Sequence, residues 1–206
     1  MTITDDTHAA GQVCFTNWRG VTYVLCAIAT KTGKTRLVAS RTIVGTPLSA
    51  MPEGYEFAEN VNGQVSVRRV RPPTVAPEEL ETVRKTLAST SGCQSYRAAI
   101  VGNAVVIYEP SMRPLELNAL TREFPYFEDI MRRVRSLTAS TATYSPLVRF
   151  VLSDKTRRTF DVERRVYSGD EGWLPVEEDR PLAPAARGAA RRLGPNGPRD
   201  EFYEWG

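Results

Sequence analysis

Short runs of β-branched and aromatic residues alternate with turn-forming dipeptides along this chain, and this pattern limits the possible folds more than any other feature. The strongest turn signal is Asn62-Gly63, which separates residues 55–61 from residues 64–71. Asn-Gly readily adopts the two positive φ angles of a tight type I′ turn. We therefore predict a β-hairpin here, with Pro72-Pro73 ending its second strand.

Three further pairs of strand-like runs are separated by turn signals. The second arm of one pair contains Val105, Val106 and Ile107 in succession, which is typical of a strand buried on both faces. The predicted pairs are residues 21–30 with 35–44, residues 96–101 with 104–109, and residues 147–152 with 159–167.

Helical patterns are fewer. Pro77 suits the first position of a helix in which Leu80, Val83 and Leu87 share one face and which ends at Gly92. Apolar residues recur at helical spacing over 117–137, where Pro125 predicts a kink or a restart. Residues 185–193 predict a short Ala/Arg helix ended by Gly194.

These elements predict an α+β protein, a mostly antiparallel sheet of hairpins with two or three amphipathic helices packed on it. Apolar residues make up 41% of the chain, which is sufficient for a buried core. Four segments are expected: a polar leader over 1–20, a hairpin-rich domain over 21–110, a helix and hairpin module over 111–180, and a terminal segment over 181–206. The alternative is that the second and third segments form one continuous domain.

Several function classes are disfavoured by composition. The polar, acidic start lacks the features of a signal peptide, and no apolar run approaches the roughly 20 residues that span a bilayer. Three separated cysteines favour a reducing compartment, so we expect a cytoplasmic protein without membrane contact. Because His8 is the only histidine, a Cys/His metal site is not expected, and the sequence predicts no metal and no cofactor.

Two motifs suggest chemistry and fall short of a signature. Gly33-Lys34-Thr35 matches the end of a phosphate-binding loop, but Ile28 stands where that loop needs its first glycine, and a strand follows instead of a helix. Asp161 and Glu163 would share one face of a strand, as metal-binding carboxylates of a nuclease do. Arg165 stands where such sites carry lysine, so the same residues also fit the solvated face of an edge strand.

Arginine is the most unusual residue type, with 23 Arg against 4 Lys. A planar guanidinium recognises phosphate and carboxylate groups by paired hydrogen bonds, although a GC-rich genome or an ion-paired surface would give the same composition. The candidate anion-binding or nucleic-acid-binding residues are Arg68, Arg69, Arg71, Arg132, Arg133, Arg157, Arg158, Arg164 and Arg165.

The end of the sequence concentrates aromatic residues after a Pro/Gly segment. Phe202, Tyr203 and Trp205 are of the types that dominate protein interfaces, so they are candidates for contact with a partner or a second copy. Folding back over the protein's own sheet is the alternative. The preferred interpretation is a non-catalytic binding or assembly component of an intracellular complex. The alternatives are a protein that binds a nucleic-acid phosphate backbone, and a metal-dependent hydrolase centred on Asp161 and Glu163.

Overall fold

The computed structural model describes residues 11–111, 141–166 and 172–193. The chain forms two compact units, Met1–Pro72 and Pro73–Gly206. The division follows Pro72, inside the region that was predicted as one hairpin-rich domain. The predicted helical region 117–137 lies outside the described residues.

The first unit consists of six short strands. They are β1 (Cys14–Thr16), β2 (Thr22–Ala29), β3 (Thr35–Ser40), β4 (Thr46–Pro47), β5 (Tyr55–Glu59) and β6 (Val65–Arg69). Strand β2 pairs antiparallel with β1, β3 and β4, and β5 pairs antiparallel with β6. The two hairpins predicted in this region are therefore confirmed.

Three turns of the first unit share one hydrogen-bonding pattern. In each, the first residue (Asn17, Thr30 or Asn60) donates its N–H to the carbonyl four residues later and accepts from the glycine three residues later. In each turn the glycine is the only residue with a positive φ, and this angle is 73° at Gly63. The predicted type I′ turn is therefore wrong, because it requires a positive φ at Asn62 as well; the loop is of the longer kind with a glycine bulge.

The turn that begins at Asn17 connects the β5–β6 hairpin to the rest of the unit. Asn17 is only 4% exposed, and its Oδ1 accepts from the N–H groups of Arg19 and Val21. Its Nδ2 donates to the Gly63 carbonyl at 2.6 Å. Since a buried amide must be hydrogen-bonded to be tolerated, Asn17 is both a turn residue and an anchor.

The second unit contains a five-stranded antiparallel sheet with two helices. Its elements are α1 (Pro77–Ser89), β7 (Arg97–Val101), β8 (Ala104–Pro110), β9 (Tyr144–Asp154), β10 (Thr159–Arg165), β11 (Trp173–Pro181) and α2 (Leu182–Leu193). The strand order is β11-β10-β9-β8-β7. The described chain is thus mostly antiparallel sheet with two helices, in agreement with the predicted α+β class.

Helices α1 and α2 contribute to a common core with the sheet. Leu87 of α1 and Ala190 of α2 belong to the same buried cluster as Ile107, Phe150 and Phe160 of the strands. The apolar run in β8 is buried and lies between β7 and β9, which confirms its predicted interior position. No helix within the described ranges is long and apolar enough to cross a membrane.

The sheet around β10 corrects two expectations from the sequence. Strand β10 lies between β9 and β11, so Asp161 and Glu163 are not on an edge strand. No strand was predicted over Trp173–Pro181 (β11), which contains Pro175 and Pro181. Proline is tolerated there because β11 ends the sheet and its pairing with β10 contains two register shifts.

Candidate functional site

In the second unit, Arg157 forms ion pairs with two carboxylates, those of Asp154 and Asp179. Its Nε donates to Asp154 at 2.9 Å, and its two Nη atoms donate to Asp179 at 2.7 and 2.9 Å. These bonds raise the pKa of Arg157. The Asp154 pKa is lowered to about 2 by donation from the Arg157 N–H, from the Arg157 side chain and from the Thr156 N–H. Binding a phosphate at Arg157 would require breaking this network.

Arg158 is also paired within the chain. Its guanidinium contacts both carboxylate oxygens of Glu79, and its Nη1 donates to the Thr74 carbonyl at 3.3 Å. Glu79 also accepts a hydrogen bond from the Ala76 N–H at 2.7 Å. Its carboxylate therefore caps the N-terminus of α1 and also binds Arg158. Arg158 has a positive φ of 54°, and this strained backbone places its side chain on the helix.

The two adjacent arginines of β10 do not present free cations at the surface. Arg164 is 8% exposed and lines a pocket of about 10 Å³ with Glu177 and Arg192. That volume is close to the minimum for one water molecule and is too small for a substrate. Arg165 lies 5.5 Å from the ring centre of Trp173, so its charge is held against an aromatic face.

Asp161 and Glu163 have separate structural roles. Asp161 Oδ1 accepts the Asp179 N–H at 2.9 Å, and Glu163 Oε2 accepts from Arg149 Nε at 2.6 Å. No group of three or more His, Cys, Asp or Glu side chains in the described ranges is arranged to hold a metal ion. The hydrolase alternative thus gains no support from this geometry.

The candidate anion-binding arginines of the first unit differ in whether a carboxylate of the chain already pairs with them. Arg68 forms an ion pair with Glu56 at 2.8 Å. Arg69 lies 5.7 Å from the Tyr55 ring centre, and Arg71 is exposed. Within the described residues, neither Arg69 nor Arg71 forms an ion pair with a carboxylate.

The remaining candidates lie outside the part of the chain that the structure describes. These are Arg132, Arg133, Phe202, Tyr203 and Trp205. The predicted partner contact through the aromatic residues stays a prediction.

Charge is distributed unevenly between the two units. Residues 11–72 contain three glutamates and no aspartate, against eight basic residues: Arg19, Lys31, Lys34, Arg36, Arg41, Arg68, Arg69 and Arg71. Residues 73–206 carry 19 basic and 19 acidic residues and are therefore formally neutral. The formal charge of +3 on the whole chain thus comes entirely from residues 1–72.

A basic turn in the first unit was not among the predicted site residues. Residues 31–36 are all exposed and include Lys31, Lys34 and Arg36, which form no ion pair with any carboxylate in the described ranges. The segment forms the turn of the predicted hairpin and not a phosphate-binding loop, and the Thr30 N–H to Lys34 carbonyl bond of 2.8 Å closes it. The signal that would have found it is the local absence of acidic residues.

Comparisons of the chain with models of protein families, with curated proteins and with solved structures gave no match. The functional argument therefore depends on the charge, exposure and contacts of the described residues.

Proposed function

We propose that this protein is a binding component that holds the phosphate backbone of a nucleic acid against the basic surface of its first unit. The observation that supports this proposal is the charge division, because residues 11–72 combine eight basic residues with three acidic ones. Lysine and arginine that neutralise phosphates release condensed counterions, and this release supplies most of the affinity in sequence-independent binding.

The cations of the β2–β3 turn are more accessible to a phosphate than two of the predicted candidates in the second unit. Arg157 and Arg158 already satisfy carboxylates of their own chain, whereas Lys31, Lys34 and Arg36 are exposed and form no ion pair with a described residue. An exposed, unpaired cation contacts a phosphate without first losing an intramolecular partner. The cytoplasmic location expected from the sequence is compatible with such a ligand and remains part of the proposal.

Binding of fluorescently labelled oligonucleotides to the full-length protein tests the proposal. Anisotropy titrations with single-stranded and double-stranded 20-mers of two unrelated sequences are expected to show similar affinities for both sequences. The affinity should fall steeply between about 50 and 200 mM salt, since each neutralised phosphate contributes about −0.9 to the log–log slope for duplex DNA.

Two outcomes would contradict this function. One is the absence of binding at low salt. The other is displacement of the oligonucleotide by polyglutamate as effectively as by unlabelled nucleic acid at equal charge concentration, which would indicate an acidic protein as the partner.

A further inference from the structure

The first unit has one end that is fixed by contacts between two turns. Asn17 Nδ2 and Tyr23 Oη both donate to the Gly63 carbonyl, at 2.6 and 3.4 Å, and the Trp18 N–H donates to Glu59 at 2.8 Å. The β1–β2 turn and the β5–β6 turn therefore lie together. We call this the anchored end of the unit.

Two strands lead into the anchored end, and two strands lead away from it. Strands β1 and β5 each end at one of the two anchored turns, and the rings of Phe15 and Phe57 on these strands lie 5.3 Å apart. Strands β2 and β6 then run away from it, because each is antiparallel to its partner. Ala29 follows Tyr23 by six residues and Arg69 follows Gly63 by six residues, a rise of about 20 Å in each case.

The far end of the unit consequently collects two basic segments that are distant in sequence. One is the β2–β3 turn with Lys31, Lys34 and Arg36, and the other is the end of β6 with Arg69 and Arg71. Strands β3 and β6, which carry Arg36 and Arg69, also contact each other. We infer that these five cations form a single site, the basic end, for the phosphate backbone of the proposed nucleic-acid ligand.

The charge of the basic end suits a polyanion. Arg68 and Glu56 neutralise each other at 2.8 Å, and Glu59 lies at the anchored end, where it accepts from the Trp18 N–H. Glu53, just before β5, is the third glutamate of residues 11–72. The five cations of the basic end therefore outnumber the remaining carboxylate. All five are exposed, so a phosphate reaches them without rearrangement of the core.

Three double variants of the full-length protein, each lacking two positive charges, test this inference, which depends on the proposed function. K31Q/K34Q and R69Q/R71Q alter the two segments of the basic end. R187Q/R191Q is the matched control, because Arg187 and Arg191 of α2 are exposed and form no ion pair with a described residue. Circular dichroism and the urea midpoint would verify that each variant is folded.

Each basic-end variant is expected to weaken oligonucleotide binding by about fivefold or more at 100 mM salt and to reduce the salt slope by about 1 to 2. The control should change affinity by less than about twofold. Equal weakening by all three variants would overturn the basic end while nucleic-acid binding stands. Weakening by only one of the two basic-end variants would overturn their convergence, and a wild-type protein that binds no oligonucleotide would remove the proposed function itself.

Discussion

At the scale of single residues, the carboxylates around Arg157 show how an arginine-rich chain can leave few free cations. Asp154 and Asp179 both bind this guanidinium, and Asp179 also accepts from the Thr159 hydroxyl. The Thr159 bond, followed by the Arg157 bond, lowers the pKa of Asp179. Asp179 has a positive φ of 51°, a conformation that aspartate and asparagine tolerate better than most residues.

The lowered pKa values of Asp154 and Asp179 predict a loss of stability in acid. Because both carboxyl groups are more acidic in the folded chain than in the unfolded chain, protonation favours unfolding. Their contribution is present above the unfolded value near pH 4 and is lost as the pH falls toward the folded Asp154 value of about 2. D179N should therefore reduce the dependence of the urea midpoint on pH between 5 and 2.

Glu178 supplies the matched control for D179N. It is exposed, lies one residue away on β11, and forms no ion pair with a described residue. E178Q removes the same charge and should leave the acid dependence of the wild type almost unchanged. If both variants flatten the pH profile equally, the Arg157 network is not its source.

At the scale of elements, the three turns of the first unit share a backbone conformation and differ in the atoms that pack around them. Gly33 and Gly63 have φ angles of 76° and 73°. A Cβ atom at Gly33 would meet no heavy atom within 4 Å, whereas one at Gly63 would lie 3.1 Å from Arg19 Cδ and from Asn17 Nδ2. The turn that contains Gly63 is therefore closely packed against its neighbours, whereas the turn that contains Gly33 is not.

Alanine substitutions at these two glycines separate backbone strain from packing. G33A should lower the free energy of unfolding by about 1 kcal/mol, the cost of a left-handed alanine. G63A should cost about 2 kcal/mol or more, since it also disturbs the buried bond from Asn17 to the Gly63 carbonyl. Urea denaturation followed by circular dichroism measures the free energy of unfolding of both variants. Equal losses would show that the contact between Asn17 and Gly63 adds nothing to the cost of G63A.

The sequence predicted local elements well because their signals are local. Turn residues and apolar runs marked four hairpins, and Pro77 marked the start of α1. The signal failed where distant residues decide the outcome, as in β11, whose two prolines are acceptable only on an edge strand. Likewise, the pairing of Arg158 with Glu79 joins residues 79 positions apart, which no local pattern encodes.

At the scale of the whole molecule, the functional argument depends on how charge is divided between two units of different composition. The candidate residues chosen from the arginine clusters included Arg157 and Arg158, which form ion pairs within the chain. They omitted Lys31 and Lys34, which are exposed. The division itself is visible in the sequence once the boundary after Pro72 is known. Locating that boundary required the three-dimensional contacts.

The exposed β2–β3 turn provides a last test that combines exposure with the proposed site. Residues 31–36 are all exposed, so trypsin should cut the native protein after Lys31 before it cuts after Arg157, whose N–H and side chain are hydrogen-bonded. The bond after Arg69 should be cut more slowly than the bond after Lys31, because the Val70 N–H donates to the Gly54 carbonyl at 2.8 Å. Saturating oligonucleotide should slow the cut after Lys31, because that residue and Lys34 belong to the basic end. Mass spectrometry of a trypsin time course would identify the bond, and a cleavage rate unchanged by the oligonucleotide would place the ligand elsewhere.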